Sequence, residues 1–178
     1  MPTEQSDDEL MLRYRDGELS AFQELYRRHS RGLYRFLAWR SGRTEWADEV
    51  AQETWLAVHH ARTRYAAQGS FRSYLFQIGR NRLADLQRQP DIDDCSEVIP
   101  VQDSAEATAL DRQQNQALHA AIRQLPSEQK EALVLQHFSG LSIDEIALVV
   151  AAPAETVKSR LRYAMRKLRE QFKQEETA

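Results

Sequence analysis

A chain of 178 residues accommodates one ordinary domain or two small ones, and 42% hydrophobic with 29% charged residues is the balance of a soluble globular protein. The formal net charge of −3 excludes a generally basic nucleic-acid coat, so any contact with nucleic acid must come from local patches. The single cysteine, Cys95, excludes an internal disulfide and points to a reducing compartment. The N-terminus is acidic and carries no apolar segment of signal-peptide type. No apolar run approaches a membrane span, so a cytosolic, cytoplasmic protein with no membrane insertion is expected.

Taken in order, the elements all read as helices. Ser6 to Asp16 places Leu10, Met11 and Tyr14 on one side, with Gly17 as a stop signal. Ser20 followed by Gln23 has the spacing of a capping box. The helix it would open carries Phe22, Leu25, Tyr26, Leu33, Phe36 and Leu37 on one stripe and Arg27, Arg28, Arg31 and Arg35 on the rest. Ser41-Gly42 closes it, and Thr44 is positioned to cap a third helix. There Ala47, Val50, Ala51, Thr54 and Val58 suit a buried stripe. Asp48, Glu49, Gln52 and Glu53 form an outward acidic patch with Trp55 and Leu56 beside it. An aromatic with a charged rim is a common interface anchor, although the same spacing suits a half-buried tryptophan under a solvated face.

The loop Arg64–Ser70 leads to a fourth helix with Leu75, Ile78, Leu83 and Leu86 on its buried side. Its other side carries Arg72, Tyr74, Arg80, Asn81 and Arg88. Arginines interleaved with aromatics suit single-stranded nucleic acid, because cations hold phosphates while rings stack on unpaired bases. The alternative is a helix with arginine stems lying over an ordinary core. From Gln89 to Asp111 the composition shifts to prolines and acids, among them Asp91, Asp93, Asp94, Glu97, Asp103 and Glu106, as in a flexible acidic linker. Helical pattern resumes near Ala105 and continues through Leu125-Pro126 to Phe138 and Gly140.

The stretch from Ser139 to Glu170 carries most of the functional signal. Ser142 and Glu145 form a capping box, and Ile143, Ile146, Ala147 and Val150 share one face. Ala151-Ala152-Pro153 interrupts the helix, since proline cannot continue one from its interior. A second helix follows with Val157, Leu161, Ala164 and Leu168 inward and Lys158, Arg160, Arg162, Arg166, Lys167 and Arg169 outward. A short helix, a brief turn and a basic second helix are the pattern of a DNA-binding helix-turn-helix. Catalysis is not expected, because no base, nucleophile or phosphate loop accompanies the paired carboxylates. His29, His59, His60, His119 and His137 are scattered away from cysteine, so neither a metal site nor a cofactor is implied. The fold class is all-α. Two four-helix units are expected at 1–89 and 110–178, joined by a linker over 90–109.

In this order the features resemble bacterial RNA polymerase sigma factors of the extracytoplasmic-function (ECF) group within the sigma-70 family. AFQELYRRHSRGLYRFL resembles the opening helix of the region 2 domain, and ADEVAQETWLAV the block that docks on the polymerase β′ clamp helices. GSFRSYLFQIGRNRLADLQR resembles the promoter-melting block. LPSEQKEALVLQHFSGLSIDEIALVVAAPAETVKSRLRYAMRKL resembles the region 4 domain that reads the upstream promoter element. Three positions depart from the family pattern. Ala151 stands where the turn usually has glycine, and it fits without strain only at negative φ. Gly79 stands where alanine is usual, and the loop YAAQGS lacks a frequent acidic residue.

The resemblance implies that Asp48, Glu49, Gln52, Glu53, Trp55 and Leu56 meet core polymerase, whose β′ clamp helices and β flap are the expected partners. Downstream, Arg64, Tyr65, Phe71, Arg72, Tyr74, Arg80 and Asn81 would hold the exposed strand. Upstream, Lys158, Ser159, Arg162 and Tyr163 would face the groove, with Arg160, Arg166 and Lys167 on phosphates. Thr156 sits in the first turn, where backbone and hydroxyl can meet a phosphate. Promoter DNA and an anti-sigma factor, often membrane-anchored, complete the implied partners. The acidic linker would lie in the polymerase channel later taken by RNA. Two rival readings are a stand-alone helix-turn-helix regulator and a helical adaptor that binds only proteins.

Overall fold

The structure, a computed structural model, describes residues 4–89 and 108–177. Most of the acidic linker and Cys95 therefore lie outside the described residues. Among the described residues the regular structure is helical: α1 (Asp7–Arg15), α2 (Leu19–Ser41), α3 (Thr44–Ala61), a 3-10 turn (Arg62–Arg64), α4 (Phe71–Gln87), α5 (Ala109–Arg123), α6 (Ser127–His137), α7 (Ile143–Val150) and α8 (Ala154–Thr177). The N-terminal unit packs α1, α3 and α4 around the long α2, and the C-terminal unit packs α5, α6 and α7 on α8. No described helix is long and apolar enough to cross a membrane.

Local chemistry accounts for the helix boundaries. Ser6 with Glu9, Thr108 with Asp111, and Ser142 with Glu145 form complete capping boxes, each satisfying backbone donors that a helix start leaves orphaned. Ser70 caps α4 through the Ser73 amide. Two expected caps are absent. Ser20 does not open α2, which begins at Leu19. The Ser20 hydroxyl instead donates to Glu18, whose carboxylate also takes the Arg13 guanidinium. Thr44 is the first residue of α3 rather than its cap. Ser41 makes that turn, donating to the Arg43 carbonyl at 2.9 Å and accepting the Arg43 amide at 3.1 Å.

The N-terminal core contains Met11, Leu25, Leu33, Phe36, Leu37, Phe71, Leu75, Phe76 and Leu83, each at most 1% exposed. Gly79 explains how closely α4 rests on α2. A Cβ at that position would stand 3.0 Å from Leu33 Cδ1 and 3.6 Å from Leu37 Cδ2. The C-terminal core is Ile122, Leu125, Leu135, Leu141, Ile146, Val157, Leu161, Ala164 and Leu168. The separate units expected from sequence are in direct contact, α4 lying on α7 and α2 on α6.

Ala151 corrects the negative φ on which its easy fit depended. It caps α7 in the left-handed region, at φ 53° and ψ 48°, and is the one non-glycine residue at positive φ among those described. A side chain there brings Cβ too near the following carbonyl, at a cost of about 1–2 kcal/mol. The geometry survives because Ala152 N donates to the Ala147 carbonyl at 3.1 Å and Ala151 N to the same group, sealing the helix end. Ala151→Gly should therefore raise stability by about 1 kcal/mol, read as a higher urea midpoint at unchanged slope. A lower midpoint would show that no strain is relieved.

Candidate polymerase and promoter surfaces

The acidic block of α3 divides into two. Asp48, Gln52, Trp55 and Leu56 line one groove of roughly 780 Å³ between α3 and the α1–α2 pair. Glu49 and Glu53 are exposed but turn away from it, and Glu53 faces Arg82 of α4 at 3.4 Å. Trp55 is not an exposed anchor. It is 7% exposed and forms the floor, with Phe22 edge-on at 5.7 Å and Tyr26 at 5.1 Å. The apolar surface open to a partner is Leu56, Leu19 and Tyr26, at 55%, 62% and 49% exposure. Tyr14 closes one end, hydrogen-bonded to His59 Nδ1. Tyr14 and Tyr26 looked like ordinary members of apolar stripes. Only the packing of α3 against α2 shows that the outer edges of those stripes meet as a groove.

The expected strand-binding residues of α4 and its loop fall into three groups. Arg64 and Asn81 are exposed and Tyr74 is half-buried. Tyr65 and Phe71 are corrected from base-stacking rings to core residues, at 7% and 0% exposure. The hydroxyl of Tyr65 donates to Asp8 at 2.7 Å, and burial together with that carboxylate pushes its pKa well above the usual tyrosine value. Both rings support the surface from below rather than forming it. Arg72 and Arg80 make the third group, since each is taken by a carboxylate of the C-terminal unit. Arg72 pairs with both oxygens of Glu145, at 3.1 and 2.9 Å, and its Nη1 donates to the Gly140 carbonyl at 2.8 Å. Arg80 Nε lies 2.7 Å from Glu131 Oε1, and Arg40 Nη1 lies 3.1 Å from that same oxygen.

On α8, Lys158, Arg162 and Tyr163 are exposed along one edge, with Thr156 and Ser159 half-buried beside them. The Arg166 guanidinium lies 4.8 Å from the Tyr163 ring centroid, a cation–π contact that holds both side chains at the surface. Lys167 is half-buried. Arg160 departs from the phosphate role, pairing with Glu128 of α6 at 3.1 Å with its side chain 20% exposed. Glu155 carries no signal of its own in sequence, standing among the cations of α8. It is 82% exposed in the first turn of α8, and Lys158 sits 2.8 Å away. The Lys158 hydrogen bond holds the Glu155 carboxyl below its usual range and raises the lysine in return.

Comparison with known proteins gives this arrangement a family. The Sigma-70 region 2 family model matches residues 25–91, and the Sigma-70 region 4 model matches residues 115–168. An ECF RNA polymerase sigma factor, SigM of Mycobacterium tuberculosis, is 31% identical over 165 residues, spanning 93% of this chain and 84% of that one. The chain belongs to the ECF sigma factors. The sigma-H factor of Pseudomonas aeruginosa is 27% identical, covering 90% of this chain and 91% of its own. Among solved structures, CnrH in complex with the cytosolic domain of CnrY superposes with a TM-score of 0.71 at 25% identity, covering 95% of this chain and 98% of that one. As in other sigma factors, the work of this ECF member is to direct RNA polymerase to promoters. The region 2 match contains the α3 side of the groove, Tyr26 and α4, while Tyr14, Leu19 and Phe22 precede it, and the region 4 match contains α6, α7 and most of α8.

The burial of Trp55 decides how the groove of this sigma factor should be probed. Trp55→Ala should cost about 3–5 kcal/mol of stability, because it empties the groove floor. Leu56→Ala should change stability by no more than about 0.5 kcal/mol. Chemical denaturation of the two variants checks this, and equal losses would place Trp55 outside the core.

Proposed function

We propose that the groove between α3 and the α1–α2 pair is where core polymerase docks, with Leu56, Leu19 and Tyr26 as apolar contacts. Asp48 and Gln52 supply the polar rim. This is supported by the exposure of three large apolar side chains around one concavity, an arrangement a monomer has little reason to keep. Glu49 and Glu53 contribute charge that steers the encounter. The occupants by family analogy are the β′ clamp helices, with the β flap meeting the C-terminal unit.

Promoter duplex lies along α8. Lys158, Ser159, Arg162 and Tyr163 face the major groove, while Thr156, Arg166 and Lys167 meet phosphates. Strand capture belongs to α4 and its loop, through Arg64, Tyr74, Asn81, Arg72 and Arg80. Opening duplex costs about 1–2 kcal/mol per stacked step, and the chain carries no nucleotide-hydrolysis motif to drive it. Captured bases and phosphates must offset that cost, at about 1–3 kcal/mol per stacked base. Tethering through polymerase then makes two weak DNA contacts act at high effective concentration. The protein works in the cytoplasm without chemistry of its own. CnrH is solved with the cytosolic domain of CnrY, which favours an anti-sigma partner here as well.

In vitro transcription with purified core enzyme on a promoter library tests the whole reading. Gln52→Ala/Leu56→Ala should weaken core binding at least tenfold while leaving the fold intact. Lys158→Ala and Arg162→Ala should each leave core binding unchanged and lower promoter affinity by about 1–3 kcal/mol. Full activity of all three variants would remove the assignment.

A further inference from the structure

The contact between the two units does more than pack them together. Glu131 has a side chain 4% exposed, and among the described residues its ion-pair partners are Arg40 of α2 and Arg80 of α4. Glu145 presents two oxygens to Arg72 in the two-point geometry that a phosphate also satisfies. Around these pairs, Gln77 Nε2 donates to the Leu148 carbonyl at 2.9 Å and the Ser139 hydroxyl to the Gly32 carbonyl at 3.0 Å. Trp39 stacks near Phe138 at 6.0 Å. The groups of α4 best suited to hold strand phosphates are thus occupied by carboxylates from α6 and α7. On the edge of α8, Lys158, Arg162 and Tyr163 stay exposed, and Lys158 is paired only with Glu155 of its own helix among the described residues.

We propose that Glu131 and Glu145 form an intramolecular latch, standing in for the phosphates of single-stranded DNA on Arg80, Arg40 and Arg72. This rests on the strand-binding role given to α4 above. The same guanidinium groups cannot serve a carboxylate and a phosphate at once, so closure and strand capture exclude one another. A buried carboxylate between two arginines contributes little net stability, because desolvation consumes most of the attraction. Such a contact favours the closed form without locking it. The free chain is held from single strands, and whatever draws the C-terminal unit away exposes the arginines. Apparent strand affinity is then the intrinsic affinity multiplied by the open fraction.

The test uses the full chain and a fluorescent single-stranded DNA 20-mer of mixed sequence, followed by anisotropy without polymerase. Glu131→Gln/Glu145→Gln keeps size, and glutamine preserves the α7 capping box. It should bind the strand at least tenfold more tightly than the unmodified chain. Asp16→Asn/Glu45→Gln, with the same charge change on α1 and α3, should gain less than twofold. A staple supplies the second arm. A Cβ at Gly32 would stand 3.7 Å from Ser139 Cβ, within disulfide range, so Gly32→Cys/Ser139→Cys in a Cys95→Ser background can lock the closed form. Added to the glutamine variant, the oxidised staple should weaken strand binding at least tenfold, and reduction should restore it. The latch is refuted if the glutamine variant gains no more than the control, or if the oxidised and reduced staples bind alike. Transcription with core enzyme by the reduced proteins reports separately on the sigma function. Its failure alongside the expected strand binding would remove the polymerase reading and leave the latch standing.

Discussion

A carboxylate with 4% of its side chain exposed cannot sit in a helix interface without cations, and Glu131 sets the terms for the arrangement of the two units. Removed from water, it needs hydrogen-bond donors, and among the described residues its side chain finds none on its own unit. Arg40 and Arg80 supply them from two different helices, which fixes α6 against both α2 and α4. The apolar contacts nearby, Trp39 with Phe138 and with His119, exclude water from the pair and strengthen it. Glu145 repeats the device on α7. Burial would raise its pKa, and that is outweighed by the Ser142 amide, the Ser70 hydroxyl and Arg72, so the carboxyl lies below its ordinary value. A carboxyl depressed in this way contributes stability above its unfolded pKa and loses that contribution as pH falls through the folded one. The Glu145–Arg72 pair is therefore charged throughout the neutral range.

Charge is thus distributed by task rather than by total. The chain is slightly acidic overall, yet α2 carries Arg27, Arg28, Arg31, Arg35 and Arg40, and the edge of α8 proposed to meet duplex carries Lys158, Arg162 and Arg166. Among the acids, Asp48 of α3 stands at the rim of the proposed docking groove, and Glu131 and Glu145 stand on α6 and α7 against Arg80 and Arg72 of α4. A single sum hides this partition, because opposite charges in different places serve partners of opposite sign. On the proposed assignments, the same separation would keep a large enzyme and a nucleic acid from being drawn to one surface.

Much of this organisation was legible in the sequence. The capping box at Ser142, the proline-marked break after Val150 and the inward stripe of α8 all follow from periodicity and local hydrogen bonding. The misreadings have two origins, local competition at helix starts and contacts between residues far apart in the chain. Ser20 and Thr44 had the right spacing for caps, but Glu18 and Ser41 competed for the same turns. Trp55, Tyr65 and Phe71 have polar neighbours in sequence and apolar neighbours in space, so their burial shows only after α2 and α4 pack. In sequence nothing sets Glu131 apart from the other polar residues of α6, because its two arginines lie on helices of the other unit. Ala151 was recognised as a departure, but its sign depended on a dihedral angle that no pattern of side chains reveals.

Gly79 carries a consequence for how such a chain can change over generations. Its missing side chain lets α4 settle against Leu33, a residue with 0% of its surface exposed. Alanine at 79 would improve the helix taken alone and crowd its neighbour, whereas a trimmed residue at 33 would leave a void unless something filled it. Neither position is free to drift by itself. The two are constrained to co-vary, and homologues that carry a larger residue at 79 should be met by a smaller or reshaped one at 33.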